Sequence, residues 1–288
     1  MEAQVTQNVL AAIDASAYAT SVCGYAGWAA RRLSLPVELL HVVQRQDPIA
    51  ARKDLSGAIG LGVKSELMEE LVRLSEEGSR TEIEKGRVLL AAGEQLLREA
   101  GVAQVTALHR HGGVVETILE REAEARVIVM GKRGVGHEYA SGQIGSMVER
   151  VVRASSKPVL VVPREYTEPR HIVIAYDASP AAERALERLS NSPLFDGLPV
   201  TIVMAEAEGE AQRAQLANAQ SAFAAHREVT VVMQDGKAEQ VIPAVVASTA
   251  PSLLLMGAYG HSAIRRLIIG STTTEMVRTV HAPILMVR

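Results

Sequence analysis

Short apolar runs rich in β-branched residues alternate along the chain with longer segments whose apolar positions recur at helical spacing. The apolar runs lack the polar alternation of a half-exposed strand, so each predicts a strand covered on both faces. Alternating strands and helices predict an α/β fold with a doubly wound parallel sheet and right-handed crossovers. In the second half the predicted strands are HIVIAY, PVTIVMA, EVTVVM, SLLLM and PILMV, and the predicted helices include AAERALERLS and EQVIPAVVAS.

The pattern also repeats itself once. Three segments recur in the same order, which indicates an internal duplication whose period is too long for a solenoid. We therefore predict two domains, at 1–164 and 169–288, joined by the polar, proline-bracketed segment PREYTEPR. The matched pairs are VLAAIDAS with IVIAYDAS, VIVMGKRG with LLLMGAYG, and GSMVERVVRASSKPVLVV with GSTTTEMVRTVHAPILMV.

The first copy carries an insertion. About sixty residues separate its strand VELLHVV from the strand QVTALHR. Leu67, Leu71 and Leu74 share one helical face within this region, so a packed helix is predicted up to about Ala100. The first domain is thus expected to contain an extended helical insertion at about 57–100.

Composition narrows the function classes. The formal net charge is -3, and two Phe and one Trp offer little for base stacking, so neither a nucleic acid nor a membrane is expected as partner. No apolar stretch approaches the ~20 residues that span a bilayer, and no signal peptide is visible, so a cytoplasmic location is expected. The single cysteine, Cys23, lies in an apolar helical pattern and is predicted to be a buried, inert thiol.

The segment GAYGHSAIRRLIIGSTT follows the predicted strand SLLLM. Gly257 and Gly260 permit positive φ and the close approach of a ligand to the backbone. His261, which directly follows Gly260, is a candidate phosphate contact. Gly270 is predicted to open the last helix, with Ser271, Thr272 and Thr273 in its first turn. A helix N-terminus favours phosphate binding. The alternative is that the glycines only make turns and Ser271 only caps the helix.

Ligands in such sheets bind at the carboxyl ends of the strands, where strand order reverses. Asp14 and Asp177 end the first strand of each copy, and Gly131 and Gly257 end the strands before the glycine loops. The loop is neither a P-loop nor a dinucleotide fingerprint.

Other polar motifs are weaker candidates. His109 and His111 form a His-Arg-His motif at a strand end, but no third ligand is apparent, so a ligand-facing loop is favoured over a metal site. The duplicated Asp-Ala-Ser has no matched histidine, which argues against a nucleophilic triad. No dedicated base is visible, so no catalytic residue and no metal ligand is assigned.

These residues resemble the universal stress protein family in its tandem two-domain form. Nucleotide-binding members carry Gly, two residues, Gly, nine residues, Gly, then Ser or Thr. Gly257, Gly260, Gly270 and Ser271 match that spacing, and Asp177 and PILMV stand where the family places them. The resemblance covers nearly the whole chain outside 57–100. It implies two Rossmann-like domains, each with a five-stranded parallel sheet, packed as a pseudo-dimer.

The resemblance further implies binding of ATP or AMP, with or without Mg²⁺, in the second domain. The glycine loop and the Gly-Ser-Thr segment would cradle the phosphates, Asp177 would lie near the adenosine or metal end, and backbone near Ala205 would face adenine. A regulatory or protective stress-response role and a homodimer are expected. Two alternatives stay open: a slow ATPase or phosphoryl-transfer enzyme, and a nucleotide-independent dimeric scaffold.

The first domain departs from the pattern and is expected to hold a weaker site. Ten residues separate Gly134 from Gly145, one more than in the second copy, and Val148 replaces the equivalent of Thr273. Lys132 and Arg133 are candidates to compensate by charge. We also expect that a β-branched residue at Gly257 abolishes nucleotide binding and leaves the fold intact. The residues of the weaker site are Asp14, Val42, Gly131, Gly134, Gly145 and Ser146.

Overall fold

A computed structural model describes residues 7–43, 63–134, 146–223, 227–258 and 271–288. In these segments ten strands form one sheet, and the alternation of strands and helices is as predicted. The strands are β1 (Asn8–Ala12), β2 (Val37–Val43), β3 (Val105–His111), β4 (Ala125–Gly131), β5 (Val159–Val162), β6 (His171–Ala175), β7 (Val200–Met204), β8 (Val229–Met233), β9 (Ser252–Gly257) and β10 (Ile284–Val287).

Helices connect most of these strands. They are α1 (Ala19–Leu33), α2 (Val63–Glu99), α3 (Val114–Arg121), α4 (Ser146–Ala154), α5 (Pro180–Ser190), α6 (Glu210–Ser221), α7 (Ala238–Ser248) and α8 (Ser271–Thr279), with short 3₁₀ turns at Glu122–Glu124 and Pro193–Phe195.

The sheet consists of two equivalent halves. Its strand order is β3-β2-β1-β4-β5-β10-β9-β6-β7-β8, and every neighbouring pair is parallel except β5 and β10 at the centre. There Ile284 pairs with Val161 in the antiparallel direction. Each half is thus a five-stranded parallel sheet, and the two join edge to edge as an intramolecular pseudo-dimer. The predicted fold class is confirmed.

Apolar side chains line both faces of the sheet, which explains why the strands read as uninterrupted hydrophobic runs. One face packs against α1, α2, α5 and α6, with Trp28, Leu97 and Leu186 among its buried residues. The other packs against α3, α4, α7 and α8, with Ile118 and Met276 in its core. The sheet is therefore wound on both sides, as the alternation of elements requires.

The insertion of the first half is helical over Val63–Glu99, as predicted, and residues 57–62 lie outside the described residues. Leu90 and Leu97 bury against the sheet. Two glycines set its distance from the strands: a Cβ on Gly93 would lie 2.7 Å from Cδ2 of Leu39, and one on Gly86 would lie 2.6 Å from Nε2 of His109. Glycine at these positions lets α2 pack closely on β2 and β3.

Strand order reverses once in each half. The chain runs from β1 outward through β2 and β3 and returns to β4 on the other side of β1; β6 to β9 repeat this path. The reversal points are therefore the crevices between β1 and β4 and between β6 and β9. Ligands of open α/β sheets bind at such points, outside the carboxyl ends of the strands.

Candidate functional site

Asp177 follows β6 and is held by a short turn that starts α5. Its Oδ1 accepts a hydrogen bond from the backbone N–H of Ser179 (3.0 Å). Ala178 between them adopts a left-handed conformation with φ 54°. Ser179 in turn caps α5, accepting the N–H of Ala182 at 3.2 Å, and Pro180 occupies the first helical position, where no N–H is needed. The turn leaves the Asp177 side chain exposed at the sheet edge.

A related hydrogen-bonded turn, without a left-handed residue at Ala15, occurs in the first half. Oδ1 of Asp14 accepts the N–H of Ser16 at 3.2 Å, and Oγ of Ser16 accepts the N–H of Tyr18 at 3.3 Å. The second carboxylate oxygen of Asp14 faces the loop after β4, since a Cβ on Gly134 would lie 2.6 Å from Oδ2. Asp14 and Gly134, which the sequence assigned to one weaker site, thus meet across the crevice.

Gly257 and Gly131 end the strands on the other side of the two crevices. A Cβ on Gly257 would lie 2.6 Å from the carbonyl carbon of Ala181, and one on Gly131 would lie 2.6 Å from Cβ of Tyr18. Ala181 and Tyr18 occupy equivalent positions at the start of α5 and α1. Both glycines therefore allow a helix to approach a strand end. This contact argues against the expectation that a β-branched residue at Gly257 leaves the fold intact, because the Ala181 backbone cannot yield as a flexible side chain can.

The start of α8 reaches the same edge of the sheet as Gly257. The helix precedes β10, and β10 runs parallel to β9, so α8 runs antiparallel to both and begins at their carboxyl ends. Ser271, Thr272 and Thr273 are its first three residues, as predicted. Ala205 follows β7 at this edge, on the far side of β6. Gly260, His261 and Gly270 lie outside the described residues.

In the first half, the structure describes most of the residues assigned to the weaker site. Ser146 begins α4, and Gly145 lies outside the described residues. Val42 lies within β2, where it pairs with Arg110 rather than ending the strand. Val148 is 3% exposed and packs in the core, so the position equivalent to Thr273 contributes apolar packing here.

Lys132 contacts the other half of the sheet. Its Nζ donates a hydrogen bond to the carbonyl oxygen of Val280, next to the end of α8 in the other half. Burial, and secondarily the neighbouring Arg133, lowers the pKa of Lys132 to about 8. No local pattern predicts this contact, because it joins residues 148 positions apart.

His109 and His111 belong to a larger cluster that the sequence analysis missed. Parallel pairing of β2 and β3 places His41 beside His109, with ring centroids 5.4 Å apart, and His109 stacks on His111 at 5.7 Å. Nε2 of His109 is buried and has no hydrogen-bond partner among the residues that the structure describes. Among the residues that the structure describes, no group of three or more His, Cys, Asp or Glu side chains could hold a metal ion.

Two further expectations concern the single cysteine and membrane-spanning helices. Cys23 is buried, as predicted, and desolvation raises the pKa of its thiol to about 11, which disfavours the reactive thiolate. In the described part of the chain, no helix combines the length and apolar character needed to cross a membrane.

Comparison with known proteins agrees with the fold. The model of the universal stress protein family matches residues 6–163 and 190–288. Universal stress protein Slr1230 of Synechocystis sp. is 33% identical over 286 residues, covering 98% of this chain and all of that protein. Universal stress protein Rv1996 of Mycobacterium tuberculosis is 26% identical over 251 residues, 74% of this chain and 78% of that protein. A crystal structure of a universal stress protein from Archaeoglobus fulgidus superimposes with a TM-score of 0.72 over 98% of both chains at 20% identity.

Proposed function

The chain belongs to the universal stress protein family, and on this premise we propose that it binds an adenine nucleotide, ATP or AMP, chiefly in its C-terminal half. The proposed site lies outside the carboxyl ends of β6 and β9. Its residues are Asp177, Ala205, Gly257, Gly260, His261, Gly270, Ser271, Thr272 and Thr273.

One observation carries this proposal. At the reversal point between β6 and β9, the starts of α5 and α8 and the carboxylate of Asp177 meet at one sheet edge. A helix N-terminus attracts anionic groups through its unpaired N–H groups and its positive dipole end. Ser179 already satisfies the N–H of Ala182 in α5, which favours α8 as the phosphate site. The family motif, Gly-Ser-Thr at 270–272, falls at that same helix start.

Asp177 would bind the other end of the ligand. Its Oδ1 accepts a hydrogen bond from the N–H of Ser179, and the described residues provide no hydrogen bond to its Oδ2. Its second oxygen is therefore suited to accept a hydrogen bond from a ribose hydroxyl or to ligate Mg²⁺. The backbone at Ala205 would form hydrogen bonds with the edge of the adenine ring. In the first half, Oδ2 of Asp14 lies against Gly134 instead. This contact, together with the longer glycine spacing, supports weaker binding there.

We further propose a regulatory or protective role in the cytoplasm and a homodimer. The central edges β5 and β10 already pair within the chain, so the open sheet edges are β3 and β8. Size-exclusion chromatography with light scattering would give the mass of the particle. A mass of one chain, 30.8 kDa, would contradict the homodimer.

The decisive experiment is mass spectrometry of ligand released from the purified full-length protein, combined with thermal unfolding in ATP and AMP. We expect adenine nucleotide in the released fraction and a rise of the melting temperature with nucleotide concentration. The absence of both would leave the nucleotide-independent scaffold. ADP accumulation over hours with Mg²⁺ and ATP would instead favour the slow ATPase, whereas intact ATP supports a binding role.

A further inference from the structure

A cavity of about 930 Å³ lies at the seam between the two halves of the sheet. Because β5 and β10 are antiparallel, the carboxyl edge of the first half adjoins the C-terminal ends of α7 and α8 of the second half. The lining therefore comes from both halves and from the segment that joins them. None of Asp14, Gly134, Asp177 and Gly257 lines it, so it is separate from the sites at the reversal points.

The lining is predominantly basic. Its described residues include one carboxylate, that of Glu165, against five basic side chains, of which Arg278 is ion-paired with Glu275. The apolar part of the wall includes Tyr18, Tyr25 and prolines, which suits the organic body of a ligand. The basic side chains are those of Lys132, Arg133, Arg164, Arg278 and His281.

Lys132 is partly buried where the two halves meet. Its Nζ contacts the carbonyl oxygen of Val280, and none of the ion pairs among the described residues includes it. A buried ammonium without an opposite charge is costly, because a carbonyl dipole replaces only part of its hydration. Burial and Arg133 accordingly lower its pKa to about 8.

The duplication provides an internal comparison. The second half has Ala258 at the position of Lys132, and the two residues share their backbone contact: Lys132 donates to the carbonyl of Val162 and Ala258 to that of Val287. The repeat thus folds at this position without an ammonium. Lys132 imposes a cost that the fold does not require, in a cavity large enough for a small organic molecule.

We propose that this seam cavity binds a phosphate-bearing small molecule, with Lys132 of the first half and Arg278 of the second half as its cations. Its volume falls within the range of about 300–1,000 Å³ usual for ligand pockets. A phosphate supplies an opposite charge to Lys132, which none of the ion pairs among the described residues includes, and competes with Glu275, the ion-pair partner of Arg278, for charge-assisted hydrogen bonds from that arginine. The site is independent of the nucleotide proposal, since its lining residues differ.

The affinity of the seam cavity for its ligand should depend on pH. An anion beside Lys132 raises the pKa of its ammonium, so binding takes up a proton when the free site is partly deprotonated. Affinity should therefore fall as the pH rises through about 8. The other charged or titratable groups facing the cavity are Arg133, Arg164, Glu165, Arg278, His281, Tyr18 and Tyr25. The pKa of Tyr25 is raised by burial to about 12, so it stays neutral in this range.

Pyridoxal phosphate is a suitable probe, because it combines a phosphate with an aldehyde that reacts with an unprotonated amine. The lysine nitrogen adds to the aldehyde carbon, water leaves, and borohydride reduces the resulting imine to a stable secondary amine. The full-length protein is labelled at limiting concentration and analysed by peptide mass mapping. We expect labelling of Lys132 ahead of the exposed Lys85 and Lys237, with protection of Lys132 alone by inorganic pyrophosphate or phenyl phosphate.

Two variants make the test specific. Arg278→Gln, on the exposed surface of α8, should require about tenfold more competitor for the same protection, as the loss of one charge-assisted contact predicts. Lys237→Ala should leave the protection of Lys132 unchanged. Stronger protection by phenyl phosphate indicates an organic ligand, and equal or stronger protection by pyrophosphate indicates an inorganic one. Labelling of Lys132 that neither competitor reduces would overturn the proposal, as would labelling that is uniform among the lysines.

Discussion

The backbone of Gly257 lies directly against that of Ala181, so that a Cβ on Gly257 would come within 2.6 Å of the Ala181 carbonyl carbon. This contact fixes the first turn of α5 on the end of β9. It thereby sets the position of Asp177, four residues earlier, relative to the strand across the crevice. In the first half Gly131 lies against the side chain of Tyr18, at the position equivalent to Ala181.

Replacing Gly257 by alanine should destabilise the protein by about 1–3 kcal/mol, since the added methyl group forces the helix or the strand to move. The free energy of unfolding from urea titration measures the effect. Gly27→Ala is the control: its Cβ would lie 3.4 Å from Cβ of Ala100, an ordinary contact, and alanine favours a helix interior. Equal stability of the Gly257→Ala variant and the wild type would contradict the packing role.

Asp177→Asn should weaken ATP binding by about tenfold or more, because an amide cannot supply the same negative charge to a ribose hydroxyl or a magnesium ion. Asp14→Asn is the matched change in the first half and should alter the affinity less than twofold, if the C-terminal half holds the main site. Calorimetric titration with and without Mg²⁺ measures both. The reverse ranking of the two variants would place the main site in the N-terminal half.

Stability should decrease as the pH falls below about 6.5, in part because of His109. Burial, then the nearby His41, His111 and Arg87, lower its pKa. The unfolded state therefore binds a proton that the folded state resists, and folding loses free energy from the ordinary histidine pKa of 6.5 downward.

His109→Leu should consequently flatten the dependence of the urea midpoint on pH between about 7 and 5. It also removes the unpaired Nε2 from the contact with α2 at Gly86. His281→Gln, which changes a histidine outside the cluster, should keep the wild-type profile. Identical profiles for His109→Leu and the wild type would show that His109 does not contribute to the pH dependence of stability.

Arg121 pairs with Glu38 through two hydrogen bonds of 2.8 and 2.6 Å, and the Glu38 side chain is only 9% exposed. Arg121→Ala should cost about 3 kcal/mol of unfolding free energy, because it leaves a buried carboxylate without its partner. Arg98→Ala breaks the exposed pair with Glu94 on α2 and should cost about 0.5 kcal/mol. Similar losses for the two variants, measured in one urea series, would argue against a buried pair.

The sequence predicted elements whose signals are local. The uninterrupted apolar runs gave the second-half strands to within about two residues, because a strand covered on both faces needs apolar side chains at every position. The duplication predicted two similar halves, and the Asp-Ala-Ser motif predicted a strand end in each. The start of α8 at Ser271 was likewise predicted, since Gly-Ser-Thr after an apolar run is a typical helix start.

The sequence alone thus determined the fold class, the internal repeat and the family motif, all of which depend on residue order and spacing. Tertiary structure decided which distant residues meet. The antiparallel contact of β5 and β10 joined the halves into one sheet and formed the seam where Lys132 reaches Val280. Parallel pairing of β2 and β3 placed His41 beside His109. The approach of α5 to β9 gave Gly257 its packing role. Such contacts depend on strand order and helix distance, which no local spacing encodes.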